Sequence, residues 1–99
     1  MAYIDNAAAV TAVEPEGADG CFDCGMVYSA GAGVTVDLVE AHKWFNIAAL
    51  RGHGDAARLR REIAELMSDS EIGLAQRAAR DWLRNHPQLQ PAMPIRAAA

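Results

Sequence analysis

Cys24-Gly25-Met26-Val27-Tyr28-Ser29-Ala30-Gly31-Ala32-Gly33-Val34-Thr35-Val36-Asp37, then Ala41-His42-Lys43-Trp44-Phe45 and Ala48-Ala49-Leu50-Arg51-Gly52-His53, is the stretch that decides the fold. It reads as helix, glycine-broken loop, helix. Cys21, Cys24, Gly25 and Tyr28 fall at i, i+3, i+4 and i+7 and share one helical face. This predicts a first helix over Ala18–Ala30 with Asp19 as its N-cap. Gly31 and Gly33 then stop it, because glycine tolerates the positive φ of a helix end. Asp37 with Glu40 three residues on has capping-box spacing and starts a second helix. Its apolar stripe is Leu38, Ala41, Phe45, Ala48 and Ala49, with Trp44 alongside. Gly25 lets that helix approach closely, and Tyr28, Trp44 and Phe45 fill the space around it.

Working outward, a third helix is predicted from about Asp55 to Met67, with Ala56, Leu59, Ile63, Leu66 and Met67 as its buried face. Arg58–Glu62 and Arg61–Glu65 are i, i+4 pairs on the other side. Ser68 and Glu71 form a second capping box and open a fourth helix. Its stripe is Ile72, Ala75, Ala79, Trp82 and Leu83, and His86-Pro87 ends it. The expected fold is all-α: two stacked antiparallel helical hairpins, four helices, in a short right-handed α-solenoid. One hairpin cannot bury its whole apolar face, so a second must stack on it. The domain spans 18–86, divided into a repeat at 18–54 and a closing hairpin at 55–86. Residues 1–17, with Asp5 or Asn6 capping a short helix through Val13, are read as a partly flexible leader. Residues 87–99, with three prolines and a final Ala-Ala-Ala, are read as a flexible tail that a protease or chaperone would recognise.

The totals fit this picture. Ninety-nine residues suit one small domain. The apolar share is 52% but the aromatic share only 6%, so alanine, the best helix former, supplies much of the core. The net charge of −4 points away from nucleic acid. That charge is divided unevenly. Residues 1–50 carry seven acids and one base; residues 51–99 carry six acids and eight arginines. Oppositely biased halves suit either a charged partner or antiparallel self-association. No run approaches the roughly 18 apolar residues of a membrane span. No basic start precedes an apolar stretch, so a cytoplasmic location with reduced cysteines is expected.

Gly25-Met26-Val27-Tyr28, Gly31-Ala32-Gly33-Val34, Asp37, Ala41, Lys43-Trp44-Phe45, Ala48-Ala49 and Gly52-His53 together resemble the Sel-one-like repeat, a relative of the tetratricopeptide repeat. The resemblance covers residues 18–57. Residues 55–84 depart from it: Arg60 and Arg61 stand where a second copy would place leucine and glycine, and no Gly-x-Gly-Val loop follows Met67. They read as a divergent closing hairpin, as in short bacterial single-repeat members. The resemblance implies an adaptor or scaffold rather than an enzyme, with no cofactor and with a peptide or helix of another protein as partner.

The chemical candidates are few. Cys21-Phe22-Asp23-Cys24 has the spacing of half a zinc site or of a redox pair. Zinc would need two further ligands, for which His42, His53 and His86 are the candidates, and none of these forms a second paired motif. A helical i, i+3 pair also holds its Cβ atoms about 5–6 Å apart, against about 3.8 Å in a disulfide. Buried core thiols are the preferred reading, with a thiol or zinc sensor as an alternative. His42 is expected on an exposed or half-buried helix face, and His53 at a helix end where its charge suits the dipole. No Ser/His/Asp grouping or phosphate loop is present. Phe22 and Met26, an i, i+4 pair, point away from the Cys21–Tyr28 stripe. With Ser29, and with Arg58 and Arg61 from the third helix, they form the expected partner-binding surface. A homodimer is the expected alternative.

Overall fold

The computed structural model describes residues 17–87. The expectations for residues 1–16 and 88–99 lie outside the described residues. Among those described, the chain is all-α, with helices α1 (Ala18–Ala30), α2 (Leu38–Leu50), α3 (Ala56–Ala64) and α4 (Asp69–Asn85). None is long and apolar enough to cross a membrane. The helices form a stack of hairpins in which α2 is the shared wall: α1, α3 and α4 each pack chiefly on it rather than on one another.

Local chemistry sets the boundaries. Gly17, not Asp19, is the N-cap of α1; its backbone is extended and offers no side-chain cap. Asp19 lies in the first turn instead, where a carboxylate favours the positive end of the helix dipole. At the other end Gly31 adopts φ 72° and donates its N–H to the Val27 carbonyl. The Asp37 N–H then bonds to the Tyr28 carbonyl at 3.0 Å, which pins the end of the loop to the helix it left. Asp37 Oδ1 accepts the Glu40 N–H at 3.1 Å and caps α2. The Glu40 carboxylate does not complete a box. It accepts from Trp44 Nε1 at 3.2 Å and pairs with Lys43 Nζ at 2.9 Å. The reciprocal box is complete only at α4, where Ser68 and Glu71 exchange both bonds.

Helix α3 ends at Ala64, three residues earlier than the sequence suggests. Leu66 and Met67 bond back to Ile63 and Ala64, a tight i→i−3 turn that delivers the chain to the extended backbone of Ser68. Its apolar stripe is also less covered than expected. Ala56 is fully buried, Leu59, Ile63 and Met67 are half-buried, and Leu66 is 74% exposed. The reason is position: among the described residues α3 has α2 on one side and no further hairpin on the other.

The core belongs to α2. Ala41, Phe45, Ile47 and Ala48 are inaccessible or nearly so, and Trp44 is buried. A helix apolar on most of its circumference belongs at the centre of a fold, and α2 is one, with neighbours on three sides. This corrects the expectation for His42, which is 3% exposed and not a surface residue. Phe45 sits against Gly25 so closely that a Cβ there would lie 2.5 Å from Cδ1 and Cε1 of the ring. Edge-on packing of Trp44 against Trp82, at 5.2 Å between centroids, joins α2 to α4. Trp82 in turn stacks on His86 at 4.1 Å. Arg51 lies over the Trp82 ring, and its Nη2 donates to the His86 carbonyl at 2.9 Å. These contacts hold the last turn of α4 to the end of α2.

Two predictions follow from this packing. Gly25→Ala forces the Phe45 ring or α1 itself to move, and overpacking of this kind costs about 2 kcal/mol. A thermal melt is expected to shift down by roughly 10 °C; an unchanged melt would show that the approach of the two helices is not tight. The second concerns acid. Burial, and next the nearby Arg60 guanidinium, lower the His42 pKa from its ordinary value. In the unfolded chain the same imidazole takes up a proton near pH 6.5. Its effect is therefore absent well above that pH, and stability declines as the pH falls through it towards the lower folded-state pKa. Urea unfolding at pH 7.5 and 5.5 should show this loss in the wild type and a smaller loss in His42→Leu. Equal losses in both proteins would rule His42 out as the source.

Candidate functional site

An open groove of about 480 Å³ runs between α2 and α4. Asn46 and Leu50, one turn apart, line it from α2. Gln76, Ala79, Arg80 and Leu83 line it from α4, at i, i+3, i+4 and i+7. The two helices run in the same sense, since their C-terminal ends are joined through Arg51 and His86. Ala79 is buried and forms the floor, its small side chain leaving the valley open. Leu50 is 66% exposed at the rim.

The groove has two unlike ends. Towards the C-termini of the helices it is aliphatic, with Leu50 and Leu83. Towards the N-termini it is polar, with Asn46, Gln76 and Arg80. Asn46 is held from behind: its Oδ1 accepts from Arg60 Nη1 at 2.8 Å, which leaves its amide NH₂ as a donor. Arg60 is half-buried, and its bonded partner is this neutral amide rather than a carboxylate. Arg80 is exposed and has no ion-pair partner among the described residues.

The residues singled out from sequence lie elsewhere, on two separate walls. Phe22 is half-buried, not free. Its ring stacks on His53 at 3.9 Å with an interplanar angle of 7°, and tilts against Phe45 at 5.5 Å. A helical projection of α1 alone does not reveal this, because the α2–α3 turn brings His53 over that face. His53 also accepts the Asp55 N–H at Nδ1, 3.1 Å away, and stands 3.8 Å from Asp19 Oδ1, so it fastens the turn to α1. Met26 is 43% exposed. Ser29 donates from Oγ to the Met26 carbonyl at 3.1 Å and closes the last turn of its own helix. Arg58 is engaged with Glu62 at 3.1 Å and Asp55 at 3.7 Å. Arg61 is exposed. The Phe22–Met26–Ser29 set lies on α1 and the Arg58–Arg61 set on α3, and both helices pack chiefly on α2.

Sequence reasoning missed Asn46, Leu50, Gln76 and Arg80. A signal was available for the first two. Leu50 and Ile47, three residues apart and off the assigned stripe of α2, made a second apolar face legible there, and Asn46 lies one turn from Leu50. Gln76 and Arg80 look like ordinary solvated positions until α4 is laid beside α2.

Cys21 is fully buried and Cys24 half-buried. Among the described residues no group of three or more His, Cys, Asp or Glu side chains is placed to hold a metal ion. Compared with family models, curated proteins and solved structures, the chain matches none.

Thiol reactivity provides a check on this arrangement. In the native protein a thiol reagent should modify Cys24 slowly and Cys21 only on global unfolding, because attack needs an accessible thiolate. Cys24→Ser should therefore leave no thiol that reacts before unfolding. Rapid native reaction of both cysteines would favour the redox alternative.

Proposed function

We propose that this chain is a non-enzymatic protein–protein interaction module. In this reading it is a short Sel-one-like, tetratricopeptide-related adaptor of the bacterial, cytoplasmic type, and it holds a peptide or helix of a partner protein. The α2–α4 groove is the observation that carries the reading: two rails at helical spacing, an aliphatic end and a polar end. A valley of this kind suits side chains presented at i, i+3, i+4 and i+7 by a partner segment. The close contact of Gly25 with Phe45 supports the family part of the reading, since both residues belong to the motif that carries the resemblance.

Self-assembly is a second reading, and a different surface favours it. Leu66 and Leu74, at 74% and 51% exposure, flank the α3–α4 turn, where the next hairpin of a longer array would stack. Light scattering separates the two readings: a concentration-dependent dimer lost in Leu66→Glu supports self-assembly.

The interaction reading is tested with the tagged full chain as bait. Leu50→Glu and Arg80→Glu alter exposed rim positions and should leave the melt unchanged while reducing partner capture at least about tenfold, as loss of a central contact does. Met26→Ser with Arg61→Glu should retain capture. The reverse pattern would move the site to the α1–α3 surface first inferred from Phe22, Met26, Ser29, Arg58 and Arg61. No specific capture by the wild type would remove the module reading.

A further inference from the structure

The groove differs at its two ends, and the difference specifies an occupant. At the aliphatic end Leu50, Ala79 and Leu83 offer a seat for a branched apolar side chain. About one turn away are Arg80, the Asn46 amide NH₂ and, behind it, Arg60. Every charged group in this set is positive, and among the described residues no Asp or Glu lines the groove. Arg60 is half-buried, its bonded partner is neutral, and among the described residues no carboxylate pairs with it. A half-buried cation next to an open valley favours an anion entering that valley. The local sign is opposite to that of the whole chain, whose net charge is −4.

The shape selects a helix over an extended strand. The rails are helical ridges whose lining positions on α4 run from Gln76 to Leu83, roughly 10 Å along the axis. Two adjacent helices offer a third one a valley for its side-chain ridge. Strand addition needs a sheet edge, which is lacking among the described residues. Nucleic acid fits poorly, because it demands a run of phosphate contacts, and this site has two arginines within an acidic chain.

We propose that the α2–α4 groove binds an acidic amphipathic helix of a partner protein. A leucine-like side chain sits between Leu50 and Leu83, and a glutamate or aspartate one turn along the helix reaches Arg80 and the Asn46 amide. This inference rests on the interaction-module reading and adds the chemistry of the partner. The carboxylate supplies the missing countercharge to Arg80 and Arg60, and the apolar anchor supplies the desolvated contact. The small groove gives an exchanging complex rather than a permanent one.

The test uses the full chain and three fluorescein-labelled helical peptides. They share a leucine ridge and carry Glu, Gln or Lys at the positions one turn from it. In anisotropy titrations at low salt the Glu peptide should bind at least about tenfold more tightly than the Lys peptide, the scale of one charge-assisted pair. Arg80→Glu, an exposed rim change, should reverse that order, and Leu50→Ala should weaken all three peptides. Added salt should weaken the Glu peptide more than the Gln peptide. Amide shifts induced by the Glu peptide should cluster at Asn46, Leu50, Gln76, Arg80 and Leu83.

Equal affinity of the Glu and Lys peptides, or an Arg80→Glu variant with unaltered preference, would overturn the inference. So would shifts confined to α1 and α3, although the capture assay above could still support the module reading on another face. If no peptide binds while the bait still captures a partner through Leu50, the acidic-helix assignment fails and the groove stands. If the unlabelled chain competes by forming a dimer that Arg80→Glu dissolves, the occupant is a second copy and the assignment again fails.

Discussion

The ring of Phe45 lies directly on the backbone of Gly25, and the rest of the architecture depends on that contact. There is no room for a Cβ at this point. The spacing between α1 and α2 is therefore set by ring thickness against bare main chain. With α1 drawn in this far, Cys21 is sealed from solvent and the loop from Gly31 to Asp37 needs only a few residues to reverse the chain. Gly31 meets the same demand in the backbone, since its left-handed conformation ends α1 and turns the chain back towards α2.

Enclosure of α2 by three neighbours determines how the remaining surface is divided. α1 takes one side, α3 another and α4 a third. α2 and α4 meet through small residues, Ala48 and Ala79, and through Trp44 and Trp82. The tryptophans hold the helices together on one side. On the other, Ala79 and the outward-turned Leu50 leave a valley. The same enclosure buries His42 and places Arg60 beside Asn46, so the polar end of the valley and the acid-sensitive core histidine share one guanidinium.

Much of the fold was legible in the sequence. Spacing located the four helices, because the 3.6-residue period and the capping pairs Asp37–Glu40 and Ser68–Glu71 are local signals. Gly25 could be recognised as a close-approach residue because large rings surround it in the motif. Among the local readings that went astray, three did so for a tertiary reason. Phe22 looked free because its cover, His53, comes from thirty residues further along the chain. His42 looked exposed because a one-sided stripe was drawn on a helix that has three partners. Leu66 looked buried because a stripe shows which face is apolar, and not whether a neighbour exists to cover it.

The sequence by itself determined helix positions, the tight α1–α2 hairpin and the excess of arginine in the second half. These follow from periodicity, glycine geometry and charge count, which act within a few residues of each other. Only the tertiary structure decided that α4 lies alongside α2 in the same sense, that Asn46 and Arg80 line one valley, and that Arg60 stands behind it bonded to the Asn46 amide. Such facts depend on contacts between residues 14 to 38 positions apart in the chain. Side-chain packing between helices selects those contacts, and no local pattern encodes it.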